Sequence, residues 1–481
     1  MGRLEQILND QFGYSSFRAG QKEVIEAVIK GQDVVTLLPT GSGKSLCYQL
    51  PAYALAGSVL IISPLLSLMQ DQVEQLKLLG EKRVIAINSF LNWQDKKLAF
   101  ANLSAYRFIF VSPEMLTTEN FQHAIADVNL ALIAVDEAHC ISQWGFDFRP
   151  QYLKIGQLFN NASRPPIIAL TATATTEVID DIKKYLSMME PFEWIAPVDR
   201  KNIAYQLVKL AHSAEKITWL ENNVQNDNGP GIIYTQSRKR TIEFANLLLG
   251  KGIRAAAYHA GMEQEDRQLI QHQFLHDEIQ WIVATNAFGM GVHKADIRQV
   301  IHDHIPSAVA NYMQEVGRAG RDGQQALATV LYCEHDEQYT QNIVLMDYPT
   351  PFQIEQYAVF QAANRPVNEM LDEQLIRETT LRILMYWMEE LKTTQAVIHQ
   401  IDALMTNKVA ELGHLVTILI NNGCIRQQLS DYFGQQLTEK PENCCSICGL
   451  QQDIIMKKQQ KTTYFEETMS WEQRMHDIFP M

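Results

Sequence analysis

The run Pro39-Thr40-Gly41-Ser42-Gly43-Lys44-Ser45 follows a short apolar segment and opens an apolar helix at Leu46-Cys47-Tyr48. A glycine-rich turn between a strand and a helix presents backbone N–H groups to phosphate oxygens. Lys44 is then expected to reach the β- and γ-phosphates of a bound nucleotide, and the Ser45 hydroxyl to help hold Mg²⁺. Leu38 stands where the general form of this motif has its first glycine. A second constellation lies downstream. The apolar run 130–135 ends in Asp136-Glu137-Ala138-His139. Adjacent carboxylates at the carboxyl end of a buried strand suit a division of labour. Asp136 would support Mg²⁺, Glu137 would orient and deprotonate water, and His139 would sense the γ-phosphate or relay its loss.

A third group, Gln314-Glu315-Val316-Gly317-Arg318-Ala319-Gly320-Arg321, spaces two arginines three residues apart. On a helix that spacing puts both on one face. Their planar guanidinium groups suit charge developing on a transferring phosphoryl group. The seven cysteines are unevenly spread: Cys47, Cys140 and Cys333 are scattered, while Cys424, Cys444, Cys445 and Cys448 lie close together. Four thiolates make a tetrahedral Zn²⁺ set.

These groups need elements to hold them. From about residue 30 to 199, near-continuous apolar runs at 33–38, 59–63, 84–88, 108–112, 131–136 and 167–171 alternate with amphipathic helices such as 64–79 and 176–188. Such runs are expected of parallel strands covered on both faces. A polar stretch at 222–231 marks a loop, followed by a second αβ series. Its strands are expected at 231–235, 254–259, 280–285 and 299–303, its helices at 237–249 and 264–276. From 350 to 423 helical periodicity takes over. The fold class is therefore α/β, two doubly wound lobes followed by a helical, zinc-binding subdomain. Expected boundaries are 1–200, 201–345, 346–450 and a tail at 451–481.

Composition sets outer limits. The chain has 481 residues, too many for one compact core. Its longest apolar stretches, such as 58–64, fall short of the ~20 residues needed to span a bilayer. The first residues lack the layout of a signal peptide, so a cytoplasmic protein without disulfides is the simplest reading. The net charge of −14 leaves a nucleic-acid partner open, because a motor that releases its track needs local basic patches only.

Together these blocks resemble the RecQ family of superfamily 2 DNA helicases. The segment Phe12-Gly13-Tyr14-Ser15-Ser16-Phe17-Arg18-Ala19-Gly20-Gln21 is similar to that family's adenine-recognition motif, which implies ATP, with Tyr14 stacking on the base and Arg18 and Gln21 contacting it. The run Gln143-Trp144-Gly145-Phe146-Asp147-Phe148-Arg149 resembles its aromatic-rich loop. By that match Trp144, Phe146, Phe148 and Arg149 would couple DNA to hydrolysis, since exposed rings stack on single-stranded bases. Alternation at 144, 146 and 148 also fits an aromatic face on a buried strand. Further blocks match in order: 63–72, 111–114, 170–174, 258–262 and 285–291. The resemblance covers about residue 4 to 335, and again the cysteine segment with its Tyr432-Phe433-Gly434 turn.

The chain departs from the family pattern at three places. His293 stands where the family commonly has an acidic or amide residue. The helical stretch before Cys424 is longer than expected, and strict alignment puts Glu442 in place of Cys444 among the zinc ligands. The resemblance implies 3′-to-5′ translocation on single-stranded DNA, opening of forked or short duplexes, and a role in recombination or repair. Only Gly449 to Met481 follows the cysteines, with Lys457, Lys458 and Lys461, so a short form without winged-helix and C-terminal helical domains is expected. An RNA helicase of the same superfamily, or an ATP-gated binding or annealing protein that does not unwind, stays open as an alternative.

Overall fold

The computed structural model describes residues 2–451 apart from 65, 89–90, 143–149, 160–163, 226–228 and 290–293. Trp144, Phe146, Phe148, Arg149, His293 and the tail from 452 lie outside the described residues. Among the described residues thirteen strands form two sheets. β1 (Val34–Leu37), β2 (Ser58–Ile62), β3 (Val84–Ile87), β4 (Phe108–Val111), β5 (Leu130–Val135), β6 (Ile167–Thr171) and β7 (Phe192–Ile195) make the first. β8 (Ile203–Leu210), β9 (Gly231–Tyr234), β10 (Ala255–Tyr258), β11 (Trp281–Ala284), β12 (Gln299–His302) and β13 (Ala326–Cys333) make the second. All pairings between these strands are parallel.

The strand orders are β3-β4-β2-β5-β6-β1-β7 and β10-β11-β9-β12-β13-β8. Counting the second sheet from its own first strand, β8, its order repeats that of the first sheet; β7 is the addition. The two halves are therefore one RecA-like architecture used twice. The strands that were legible as continuous apolar runs, β1, β2, β4 and β6, are buried along their whole length. Helices cover both faces, and parallel strands need that cover. The polar alternation of β7 leaves residues at intermediate burial or exposed, as suits an edge strand.

Helix starts follow capping chemistry. Ser237 Oγ accepts from Arg240 N at 3.1 Å ahead of the helix Arg238–Gly250. Thr350 and Gln353 close a reciprocal capping box on Pro351–Ala362. Beyond β13 the chain is helical up to the cysteine segment, with a core of its own that includes Ile354, Tyr357, Leu384, Trp387 and Ile401. One of these helices, Thr394–Ile420, is long and apolar enough by length and composition to cross a membrane, contrary to the expectation from apolar runs alone. In the fold it packs against Val309–Val316, Asp336–Leu345, Pro351–Ala362, Glu378–Leu391 and Ile425–Tyr432.

The lobes meet through a short linker at 196–202, and the C-terminal segment grips it. Arg426, fully buried, donates to Asp199 Oδ1 and to the carbonyl of Ile203, and at 3.1 Å to that of Arg200. Gln435 Oε1 accepts from Val198 N at 2.8 Å and its amide donates to Ala196 O at 3.2 Å. Across the cleft itself, Gln264 Nε2 donates to Gln70 Oε1 at 3.2 Å. Next to that bond, burial and then the charge of Glu74 push Asp71 up to about 7.

Arg426→Ala is expected to destabilise the protein by about 3–5 kcal/mol, because it leaves Asp199 and buried carbonyls without their cation. Denaturant unfolding measures it, and a loss below about 1 kcal/mol would contradict the role given to Arg426. Asp71 makes a separate prediction. Its folded form holds a proton that the unfolded chain releases, so its contribution is full at low pH and declines as pH rises towards 7. Between about pH 5 and about pH 7 the melting temperature of wild type should fall relative to that of Asp71→Asn, the two running parallel above about pH 7; parallel curves over the whole range would show that this titration is absent.

Candidate nucleotide cleft and cysteine cluster

β1 leads through Leu38, whose N–H donates to Thr171 O at 3.0 Å, into the loop 39–45. Gly41 and Gly43 have φ of 85° and 81°, a region that favours glycine. Space demands glycine too: a Cβ on Gly41 would lie 2.9 Å from Arg321 Cδ, and one on Gly43 2.7 Å from Gln21 Nε2. Ser45 immediately precedes the helix Leu46–Gln49, which is followed by Pro51–Ala54. The loop is also held from the N-terminal segment. Gln21 Nε2 donates to the carbonyls of Ser42 and Gly43 at 2.9 and 3.1 Å, its Oε1 accepts from Arg18 N at 2.8 Å, and Arg18 donates to Gly41 O. Both ends of the Gln21 amide are thus engaged by the chain itself. Tyr14 is 56% exposed and lines the same cleft.

Asp136 and Glu137 follow β5 and are buried. Glu137 is not glycine yet has φ 47°, a strained conformation that turns its side chain back to the loop. Its Oε1 lies 3.7 Å from Lys44 Nζ and its Oε2 3.4 Å from His139 Nδ1. That ring nitrogen is also 3.0 Å from Thr171 Oγ1, and Thr171 Oγ1 donates to Thr173 O at 3.1 Å. The acidic pair is therefore wired to the block 170–174 at the end of β6. Burial and the neighbouring Glu137 charge push Asp136 up to about 6, against the pull of Lys44. Two desolvated carboxylates beside one lysine suit a divalent cation.

The arginines come from the second lobe, and their setting corrects the sequence expectation. The helix Val309–Val316 stops at Gly317, and Arg318 and Arg321 sit in the turns after it, not on a helical face. Gly320 takes φ 56°, which breaks the helical path between them. Both still line the cleft with Thr40, Gly41, Gly43, Lys44, Ser45, Asp136 and Glu137, a space of 530 Å³. Arg318 is buried and donates to Gly289 O. Burial, then the charges of Arg318 and Arg200, pull Arg321 down to about 9.

Arg200 is a residue the sequence reading missed. From the linker it donates to Gly317 O at 3.0 Å and to Gly320 O, so it holds the arginine-bearing turns. Asn202 adds a bond to Gly320 O at 2.8 Å. No local spacing signals either residue. The helix Leu66–Leu78 also lines the cleft through Leu68, Gln72 and Gln75, although the block 63–72 carried no assigned role.

The cysteine sulfurs of Cys424, Cys444, Cys445 and Cys448 all lie within 4.8 Å of one another. Cys424 and Cys444 are 3.6 Å apart, Cys424 and Cys445 4.0 Å. A tetrahedron with Zn–S bonds of about 2.3 Å has edges of about 3.8 Å, so the spacing fits. Burial pushes Cys445 up, but backbone N–H groups of Cys448, Ile447 and Ile425 overcome it and bring the thiol down to about 7. Glu442 is elsewhere engaged, accepting from Gln451 Nε2 at 2.5 Å. Cys444 is the residue the fold brings to the cluster.

Residues 18–182 match the DEAD/DEAH box helicase family and residues 215–323 the helicase conserved C-terminal domain. The chain is 40% identical over 490 residues to the probable ATP-dependent DNA helicase RecS of Bacillus subtilis, covering 100% of this chain and 99% of that one. To the ATP-dependent DNA helicase RecQ of Haemophilus influenzae it is 41% identical over 377 residues, 78% of this chain and 60% of that one. The DUF1998 helicase MrfA, solved bound to DNA, shares the fold at TM-score 0.58 and 22% identity, over 69% of this chain and 51% of that one. With its doubled parallel sheets and its full-length likeness to a relative, the chain belongs to the RecQ family of ATP-dependent DNA helicases in superfamily 2.

Proposed function

We propose that this protein is an ATP-driven motor that moves 3′-to-5′ along single-stranded DNA and opens forked or short duplexes in recombination or repair. The observation that carries the reading is the shared cleft: Lys44, Asp136 and Glu137 from one lobe face Arg318 and Arg321 from the other. ATP binds there with Tyr14 against the base and Arg18 and Gln21 at its edge. Lys44 holds the β- and γ-phosphates. Ser45 and Asp136 are the residues that would hold Mg²⁺, which offsets phosphate charge when bound. Glu137 takes the proton of the attacking water, and Arg318 and Arg321 stabilise charge on the departing phosphoryl group.

Because the two halves of the site belong to different lobes, nucleotide closes the cleft and product release opens it. Alternating grip on DNA by the two lobes turns that cycle into translocation, with His139 passing the state of the γ-phosphate to the 170–174 block. Trp144, Phe146, Phe148 and Arg149 serve as the DNA-coupling loop. Cys424, Cys444, Cys445 and Cys448 hold a structural Zn²⁺, and functional units divide near residues 200, 345 and 450.

Lys44→Ala should abolish DNA-stimulated ATP hydrolysis and forked-duplex unwinding in a protein of normal melting temperature. Near-normal turnover in a folded variant would remove Lys44 from the site. Glu137→Gln should retain nucleotide binding and lose about 10²- to 10⁴-fold in kcat, because an amide cannot take the proton. Stimulation by single-stranded RNA as strong as by DNA would point to the RNA helicase reading, and ATPase without strand displacement to an annealing protein.

Elemental analysis should find about one zinc per chain. Cys448→Ser should lose it together with stability of the C-terminal segment, since binding energy at a structural site is folding energy. A metal-free wild type of unchanged melting temperature would remove zinc from the assignment.

A further inference from the structure

We infer that Trp93 and Lys97 form a base-stacking station for single-stranded DNA on the first lobe, remote from the nucleotide; the inference rests on the DNA-motor reading above. Tryptophan is among the more buried residue types, yet Trp93 is 73% exposed. It opens the helix Trp93–Ala101, whose last turn is anchored: Ala99 is buried, and Phe100 meets Phe121 edge-on at 6.0 Å. Packing therefore uses the C-terminal end of this helix and leaves the indole, at its N-terminal end, to solvent.

The first turn is nonetheless fixed. Asn92 Oδ1 accepts from Asp95 N at 2.8 Å, and Asn92 Nδ2 donates to Asp95 Oδ2 at 2.8 Å. That second bond also occupies the one nearby carboxylate in the turn. Lys97 Nζ stands 5.3 Å from the Trp93 ring centroid, with Lys96 beside it on the chain. With Lys97 over one face of the indole, the other face offers a π surface for any base and the lysines offer cations for the phosphates, so the pair matches a nucleotide in both its parts.

Topology places this pair where a strand of nucleic acid would pass. Because every strand of the sheet is parallel, the segment after β3 opens on the same edge as the loop 39–45 and the pair 136–137. This is the edge at which α/β sheets take ligands. β3 and β1 are five strand spacings apart in the sheet order, so the station lies ~24 Å from the phosphate loop. It touches DNA without touching ATP. Stacking of this kind is indifferent to sequence, as a translocating motor requires.

The test uses the full chain and oligo(dT) of graded length. The concentration giving half-maximal ATPase stimulation is measured for wild type, Trp93→Ala, Trp93→Phe and Lys97→Gln. Trp93→Ala is expected to need about 5- to 100-fold more of the longer oligonucleotides, with basal and saturated turnover unchanged. Trp93→Phe keeps a ring and should fall close to wild type, and Lys97→Gln should show a weaker dependence on salt. Unchanged half-saturation in Trp93→Ala at every length, or an equal loss on blunt duplex, overturns the inference while leaving the motor reading intact. A loss of basal turnover shared by Trp93→Ala and Trp93→Phe assigns Trp93 to packing and overturns it too. Wild-type ATPase indifferent to single-stranded DNA defeats the motor reading, and this inference with it.

Discussion

Two like charges held together out of water set the terms for this molecule. Arg318 and Arg321 lie close enough, and are buried enough, that Arg321 is pulled down to about 9. Gathering cations in a low-dielectric cleft is unfavourable unless an anion joins them or the chain forces them there. Here the chain does so by successive anchors. Arg318 is tied to Gly289 O, and the turns carrying both arginines are tied through Gly317 O and Gly320 O to Arg200. Arg200 belongs to the linker, the linker is bound by Arg426, and Arg426 stands next to Cys424 and Ile425 in the cysteine-bearing segment. Each step is a charge-assisted bond to backbone or carboxylate, so the geometry of the arginine turns is transmitted from a fixed point. A polyanion entering the cleft relieves the repulsion, and that differential interaction is what can bias closed over open.

The opposing lobe holds the reverse imbalance. Asp136 and Glu137 share one lysine, and Glu137 meets Lys44 from a left-handed backbone conformation. Strain of this kind persists where surroundings over-determine it, and here the surroundings are Tyr152, whose hydroxyl donates to Asp136 O at 3.1 Å, and His139. His139 extends the acidic pair to Thr171 and Thr173 at the end of the neighbouring strand. Three direct contacts thus link Glu137 to a residue one strand away.

How much of this was legible in the sequence depended on the range of the interaction. The phosphate loop reads directly because its demands are local: glycines at 41 and 43, then Lys44 and Ser45, within one turn of chain. Strands covered on both faces read equally well, as continuous apolar runs. The strands β7, β8 and β13 did not: the Phe-Glu-Trp-Ile of β7 alternates at a sheet edge, and β8 is buried only in its first half. A helical face for Arg318 and Arg321 failed because residue spacing cannot register Gly317 and Gly320 ending the helix. Arg200 and Arg426 were invisible for a stronger reason. Their partners lie 117 and 227 residues away, and nothing in the local pattern of either arginine marks it out. Cys444 over Glu442 was decided by the same kind of long-range packing.

The placement of the cysteine cluster follows from the sheets. A parallel sheet leaves unpaired N–H and C=O groups along its outer strands. In the first sheet β7 extends the run of strands beyond β1. The second sheet, built on the same order, has no counterpart to β7, so β8 is left as its outer strand. The cysteine segment takes that position in part. Tyr205 N donates to Cys444 O at 3.2 Å, Ser446 N to Tyr205 O at 2.8 Å, and Leu207 N to Ser446 Oγ at 3.2 Å. Two cysteines of the cluster thus sit within a strand-like pairing, three residues from the linker that Arg426 grips. Closing the edge of the second sheet and fixing the linker are one structural act, because the same few residues must be in place for both.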